Sequence, residues 1–148
     1  MTPRHMQSFF TSAGKESCYA SCIIMAAANF NGVHGLTLRD IGQALDEGLD
    51  GGFIRYNRED DYDGEQNFFV TDPAGFLGKL TGARWECLQM PPNYRAREGE
   101  LEIDFKVLTD GNAKKGIGHF VLPDWDPIQN SNTGRNGYVY SKRIFRRR

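Results

Sequence analysis

The stretch that decides the fold is the apolar run Cys18-Tyr19-Ala20-Ser21-Cys22-Ile23-Ile24-Met25-Ala26-Ala27-Ala28. The run carries no charge and extends to about Asn31, and Gly32 follows at a place that suits the end of a helix. Small and apolar side chains on every side predict a buried α-helix of about four turns. This helix is expected to be the spine of the core, with Cys18 at its N-terminus.

Two more helices are predicted downstream. Thr37 can cap a second helix, in which three apolar side chains share one face: Leu38, Ile41 and Leu45. Thr71-Asp72-Pro73 supplies a cap and a first-turn proline for a third helix that runs to Leu80, and Gly82 closes it.

The segment between these two helices, residues 46–70, is rich in glycine and aspartate and predicts a long surface loop. Its acidic run, residues 59–65, resembles a calcium loop only faintly, because Gly64 stands at the wrong offset and no bidentate glutamate closes the frame. The pattern therefore favours a solvated acidic face over a metal site.

Four later segments are rich in β-branched and aromatic residues and predict antiparallel strands: 84–90, 101–108, 117–122 and 138–145. The second of them alternates strictly between apolar and charged residues, so it is expected to have one dry and one wet face. Helices followed by strands predict an α+β fold, with N-terminal helices packed on a C-terminal antiparallel β-sheet.

Length and composition set the broad class of the protein. The 148 residues are the size of one domain; residues 1–6 are interpreted as a cloning remnant or disordered, and residues 146–148 as a basic tail. With 18 basic and 19 acidic groups, no overall field favours nucleic acid or a membrane as partner. A signal peptide and a long apolar span are both lacking, which predicts a cytoplasmic protein, or one exported without a classical signal. Three cysteines without CxxC spacing argue against disulfides and a zinc ribbon.

The residues that could carry chemistry are a thiol, an imidazole and a carboxylate. Cys18 lies at a helix N-terminus, where backbone N–H groups and the helix dipole stabilise a thiolate. His119 stands in the predicted strand Gly118-His119-Phe120-Val121-Leu122, a rigid support for a general base. Asp126 could accept the Nδ1 proton of His119, and Asp124 is its rival. Each also has an ordinary interpretation, as an inert thiol, a core histidine or a turn aspartate.

Taken in order, these residues resemble the papain-like bacterial and phage cysteine peptidases related to the bacteriocin-leader-processing (double-glycine) group. The family pattern is Cys-Gly-x-Ala/Ser, a helical methionine, an aromatic residue and glycine, then His-Phe-Val and Asp-Pro. The matching residues are Cys18, Ala20-Ser21, Met25, Asn29-Phe30, Gly32, Gly118-His119-Phe120-Val121 and Asp126-Pro127. The C-terminal residues 131–145 also resemble small phage and spirochaete members of that group.

The resemblance implies a papain-like fold and a hydrolase that cleaves a peptide or amide bond through an acyl-enzyme, without a cofactor. Cys18 would attack the acyl carbon, His119 would move the proton, Asp126 would orient His119, and an upstream glutamine would help to bind the oxyanion. Gln7 is the one glutamine ahead of Cys18. The substrate would be a peptide or protein, with a peptidoglycan peptide among the options. The chain departs from the pattern at Tyr19, which replaces a glycine, in the short interval from His119 to Asp126, and in the offset of the glutamine.

Two other interpretations stay open. The fold could serve as a catalytically silent binding module, a phage or secreted effector that acts on a protein partner, and Tyr19 favours this. A zinc site from Cys18, Cys22 and His119 is the third interpretation, because the two cysteines are spaced by one helical turn.

Overall fold

Helix α1 (Cys18–Phe30) is buried along most of its length, as the sequence predicts. The computed structural model describes residues 18–57, 67–109, 117–125, 127 and 137–148. At the C-terminus of α1, Gly32 has a φ of +71°, Val33 N donates to Ala28 O at 2.9 Å and Gly32 N donates to Asn29 O at 3.1 Å. These bonds form a Schellman motif, which is why α1 ends where it does. Among the described residues, no helix is both long enough and apolar enough to cross a membrane.

Helix α2 (Leu38–Asp50) begins at a capping box. Thr37 Oγ1 accepts a hydrogen bond from Asp40 N at 3.1 Å, and Asp40 Oδ2 accepts one from Thr37 N at 2.9 Å. These two bonds to Thr37 hold the pKa of Asp40 below its usual value. Ile41 and Leu45 are buried as predicted, whereas Leu38 is 54% exposed. The buried face of α2 is completed instead by Ala44 and Gly48.

The prediction of one long loop over residues 46–70 is wrong. Helix α2 continues to Asp50, and a two-stranded antiparallel hairpin follows, formed by β1 (Ile54–Asn57) and β2 (Asn67–Val70). Ile54 and Phe68 are buried, and Phe53 and Val70 pack against the same core, so apolar side chains in and beside both strands dock the hairpin. The acidic run at residues 59–65 lies outside the described residues.

Helix α3 (Pro73–Thr81) agrees with its prediction. Asp72 Oδ1 accepts a hydrogen bond from Gly75 N at 2.9 Å at one end, and Gly82 takes a φ of +73° at the other. Phe76 on α3 is fully buried and lies against Gly48 of α2, where an added Cβ would come within 2.9 Å of the ring. The close approach of α2 and α3 therefore depends on a glycine.

The four predicted strands form one antiparallel sheet. They are β3 (Trp85–Met90), β4 (Leu101–Leu108), β5 (Ile117–Val121) and β6 (Gly137–Arg147), in the spatial order β3-β6-β4-β5. Strand β6 is last in the chain yet lies in the interior of the sheet, paired with β3 and β4. Together, the described helices and antiparallel sheets confirm the α+β class.

The expected basic tail is the end of a strand. Strand β6 includes Arg146 and Arg147, and Arg146 Nε donates to Glu100 Oε2 at 2.7 Å. Glu100 also accepts from Tyr94 Oη and Arg97 N, each at 2.8 Å. The hydrogen bonds from Arg97, Arg146 and Tyr94 lower the pKa of Glu100 to about 2. Arg146 thus fixes the connection from β3 to β4 to the end of β6.

One face of the sheet packs against α1. Ile103 and Phe145 on this face belong to the same apolar core as Ile23 of α1. The other face of β4 was expected to be wet, yet Asp104 on that face is only 6% exposed. On neighbouring strands of the same face, His119 is 3% exposed and Ile144 is fully buried. The wet-face prediction for β4 is therefore wrong at Asp104, because an alternating strand shows which side chains are polar and not whether that face is covered.

Candidate active site

Cys18 is the first residue of α1, and its side chain is partly exposed. Cys22, one turn further along, is fully buried in the core, which agrees with its interpretation as a small apolar side chain. Cys87 on β3 is partly buried, and all three cysteines are free thiols. The helix therefore separates one accessible thiol from one that the core encloses.

Tyr19 fixes the first turn of α1 to the sheet. Its ring stacks on Phe120 of β5, with 4.1 Å between centroids and 7° between planes. Its hydroxyl lies 3.9 Å from Cys87 Sγ. Burial, with a smaller effect from Cys87, raises the pKa of Tyr19 far above its ordinary value. Tyr19 is thus a packing residue beside Cys18.

His119 lies on β5, next in the chain to the ring that Tyr19 covers. The register pairs Phe105 with Phe120 and Lys106 with His119. Successive side chains of a strand point to opposite faces, so Phe120 is the side chain that β5 presents to Tyr19, and His119 is on the other face. The start of α1 therefore meets β5 on the face of Phe120, opposite to His119, and a hydrogen bond between the side chains of Cys18 and His119 stays a prediction.

The glycine before the histidine has a clear packing role. The Phe105 ring lies over Gly118, where an added Cβ would overlap it. This agrees with the expectation that glycine at this position allows a close approach. The same ring packs against Phe120 with centroids 4.9 Å apart. Phe105 therefore helps to fix the backbone that carries His119.

The other predicted site residues are placed as follows. Asp124 is exposed at the tip of a two-residue turn, in which Leu122 N donates to Trp125 O at 2.8 Å and Trp125 N donates to Leu122 O at 3.3 Å. That position suits turn chemistry. Asp126 and Gln7 lie outside the described residues, so their roles stay predictions.

The structure does not bring together the three side chains of the zinc interpretation. Within the described ranges, no group of three His, Cys, Asp or Glu side chains is arranged to hold a metal ion. Cys18, Cys22 and His119 all lie in those ranges, so their spacing along the chain does not become a coordination site.

The sequence pattern did not single out Arg143, which lies beside two aromatic rings near the first turn of α1. It is half-buried on the face of the sheet that packs against α1, in register with Ile103. Its guanidinium lies 5.8 Å from the Phe105 centroid and 5.6 Å from the Phe120 centroid, and it donates to Ser141 Oγ at 2.8 Å. The available signal was an arginine among buried residues in a strand. It was overlooked because it stands beside the run of basic residues at the C-terminus.

A carboxyl pair lies on the opposite face of the sheet. Burial is the main cause that raises the pKa of Asp104 to about 7, and a hydrogen bond with Glu102 adds to it. Lys142 acts in the other sense, and its Nζ lies 3.4 Å from Glu102 Oε2. Asp104 Oδ1 is buried and meets no hydrogen-bond donor among the described residues. Asp104 is therefore a carboxyl that the fold favours in its protonated form.

This pair predicts a distinctive pH dependence of stability. Because the pKa of Asp104 is raised from 3.8 to about 7 in the folded state, its contribution to stability is complete below the lower value and is lost as pH rises through the higher one. The free energy of unfolding in urea is expected to fall by about 2–4 kcal/mol between pH 4 and pH 8 from this group. Asp104→Asn should remove that slope, whereas Asp46→Asn, at an exposed carboxylate, should keep it. An unchanged slope in Asp104→Asn would contradict the assignment.

Comparisons with known proteins were made against family models, curated proteins and solved structures. None of the three finds a match to this chain. The papain-like resemblance therefore stays a prediction from the residues themselves.

Proposed function

We propose that this chain is a cysteine-nucleophile hydrolase of papain-like type, a peptidase or amidase that acts on a peptide or protein substrate. The observation that carries the proposal is a partly exposed thiol at the start of a helix whose first turn packs on the histidine-bearing strand. A helix start favours a thiolate, because backbone N–H groups point toward it.

The proposed reaction has two steps. Cys18 Sγ attacks the carbonyl carbon of the scissile bond while its proton passes to His119, and His119 then gives that proton to the leaving amine. The product of this step is a thioester on Cys18. Water then attacks the thioester with His119 as base, which releases the acid and restores the thiol. Asp126 would hold the His119 tautomer, and Gln7 or the Cys18 backbone N–H would face the oxyanion.

The other two thiols are poor competitors for this role. Cys22 is fully buried, so reagents and substrates do not reach it. Burial raises the pKa of the Cys87 thiol, although Tyr19 and Arg143 act in the opposite sense. At neutral pH, Cys87 therefore holds little thiolate, and Cys18 is expected to react ahead of both.

The test is competitive alkylation with substoichiometric iodoacetamide at neutral pH, followed by peptide mapping. We expect most of the adduct at Cys18, and a Cys18→Ala variant should take up label much more slowly. Unfolding in urea before labelling is the control, because it should equalise the three cysteines. Labelling of Cys87 or Cys22 ahead of Cys18 in the folded protein would contradict the proposal.

A second candidate is a binding module without hydrolysis. One observation favours it: β5 presents Phe120, and not His119, to the Tyr19 ring. In that case the imidazole would not activate Cys18, and replacing His119 would leave the rate of Cys18 alkylation unchanged. The alkylation rate of Cys18 with and without His119 separates the two candidates.

A further inference from the structure

Among the described residues, Arg143 is a half-buried cation that pairs with no carboxylate. Its one hydrogen-bond acceptor among the described residues is Ser141 Oγ, and none of the ion pairs in those ranges includes it. Arg146 of the same strand, by contrast, pairs with Glu100 at 2.7 Å. Partly buried charges are normally paired, so the environment of Arg143 is incomplete for a cation.

The surroundings of Arg143 also favour an anion. The aromatic rings of Phe105 and Phe120 attract the guanidinium through their faces but do not accept its N–H groups in the plane. Phe120 also stacks on Tyr19, so the guanidinium lies close to the first turn of α1. A helix start carries partial positive charge, which opposes a neighbouring cation and favours an anion. An anionic group at this place would stabilise both the guanidinium of Arg143 and the start of α1.

The place is also open to solvent on one side. The register of β6 against β4 shifts between Phe105 and Lys106, so Tyr140 is an extra residue in β6. Tyr140 is 59% exposed, and its ring meets the edge of Phe105 with centroids 6.3 Å apart. The bulge thus continues the aromatic surface from Phe105 outward, and a peptide could reach Arg143 along it.

We infer that Arg143 binds a carboxylate of the substrate beside Cys18, which makes acidic peptides the substrate class. That the carboxylate belongs to a substrate of Cys18 rests on the proposed function. The binding of a carboxylate to Arg143 does not itself require a reactive thiol. A planar guanidinium offers two parallel N–H groups to a carboxylate, which a lysine does not. The carboxylate could be an acidic side chain or a peptide C-terminus.

The experiment is an NMR titration of the Cys18→Ala protein with three peptides at low salt. The peptides are acetyl-Ala-Phe-Glu-Ala-amide, acetyl-Ala-Phe-Gln-Ala-amide, and the glutamine peptide with a free C-terminal carboxylate. We expect at least one carboxylate peptide to bind about tenfold more tightly than the neutral peptide, with a shift of the Arg143 Nε–H signal. The better of the two carboxylate peptides identifies the source of the anion.

Two variants decide whether Arg143 is responsible. Arg143→Gln should abolish the preference for a carboxylate. Arg55→Gln is the matched control, because Arg55 also lies over a phenylalanine, 5.3 Å from the Phe69 centroid, and this variant should keep the preference. If Arg143→Gln does not fold, Arg143→Lys replaces it and should lower the preference about threefold.

Equal binding of all three peptides, including no binding at all, would overturn the inference, as would a preference that survives Arg143→Gln. The outcome is separable from that of the proposed function. A carboxylate preference with an unreactive Cys18 would keep the Arg143 site and remove the hydrolase. Rapid Cys18 alkylation without a carboxylate preference would do the reverse.

Discussion

Replacing His119 by alanine is expected to slow the alkylation of Cys18 by about tenfold to a hundredfold at about pH 6.5. A free thiol is only about one per cent thiolate at that pH. A paired imidazolium can therefore raise the thiolate fraction, and with it the alkylation rate, by up to about two orders of magnitude. A stabilised thiolate is also a weaker nucleophile, so the alkylation rate rises less than the thiolate fraction does. The measurement is the rate of iodoacetamide incorporation at Cys18, read by mass spectrometry.

The experiment has a matched histidine as control. His34 is exposed in the connection between α1 and α2, and His34→Ala should leave the rate unchanged. His119 is buried, so His119→Gln, which fills more of the space, is measured beside His119→Ala, with circular dichroism to establish folding. Equal rates in wild type and in a folded His119 variant would remove His119 from the proposed mechanism and favour the binding module.

Replacing Phe76 by alanine is expected to lower the free energy of unfolding by about 3–5 kcal/mol. Phe76 is fully buried, and its ring fills the space between α3 and the backbone of α2 at Gly48. The loss combines the transfer of the ring from water with the cavity that it would leave. Urea denaturation followed by circular dichroism gives the value.

Phe69 offers the matched control for this substitution. It is 44% exposed on β2, with Arg55 over its ring, so Phe69→Ala should cost about 1 kcal/mol or less. A loss for Phe76→Ala no larger than that for Phe69→Ala would mean that α3 is not part of the main core.

Much of the fold could be predicted because local signals were strong. The uncharged run from Cys18, the Thr37 and Asp72 caps, and Gly82 fix the helices through hydrogen bonds between near neighbours in the chain. The hairpin of β1 and β2 was missed because its short apolar stretches, which include Ile54 and Phe68, stand within a region rich in glycine and aspartate. The covered face at Asp104 was missed because strand alternation describes one strand and not what packs on it.

The candidate site was predictable only in part. Cys18 could be singled out, because its position relative to the helix start is local information, and the same reasoning placed Cys22 in the core. The orientation of His119 could not, because it depends on which face of β5 meets α1. The role inferred for Arg143 depends on its contacts with Phe105 and Phe120, which lie on two other strands. No spacing rule within one sequence connects these residues.

The interior position of β6 has a consequence for how the protein is made. Strands β3 and β4 are neighbours in the chain but do not pair, because β6 lies between them. On a ribosome, β6 is the last of these four strands to emerge. Strand β3 therefore has no partner in its final sheet until β6 has been made. Until then its backbone N–H and C=O groups stay open to other strands. The strand order of this sheet therefore delays the pairing of β3 until β6 has been made.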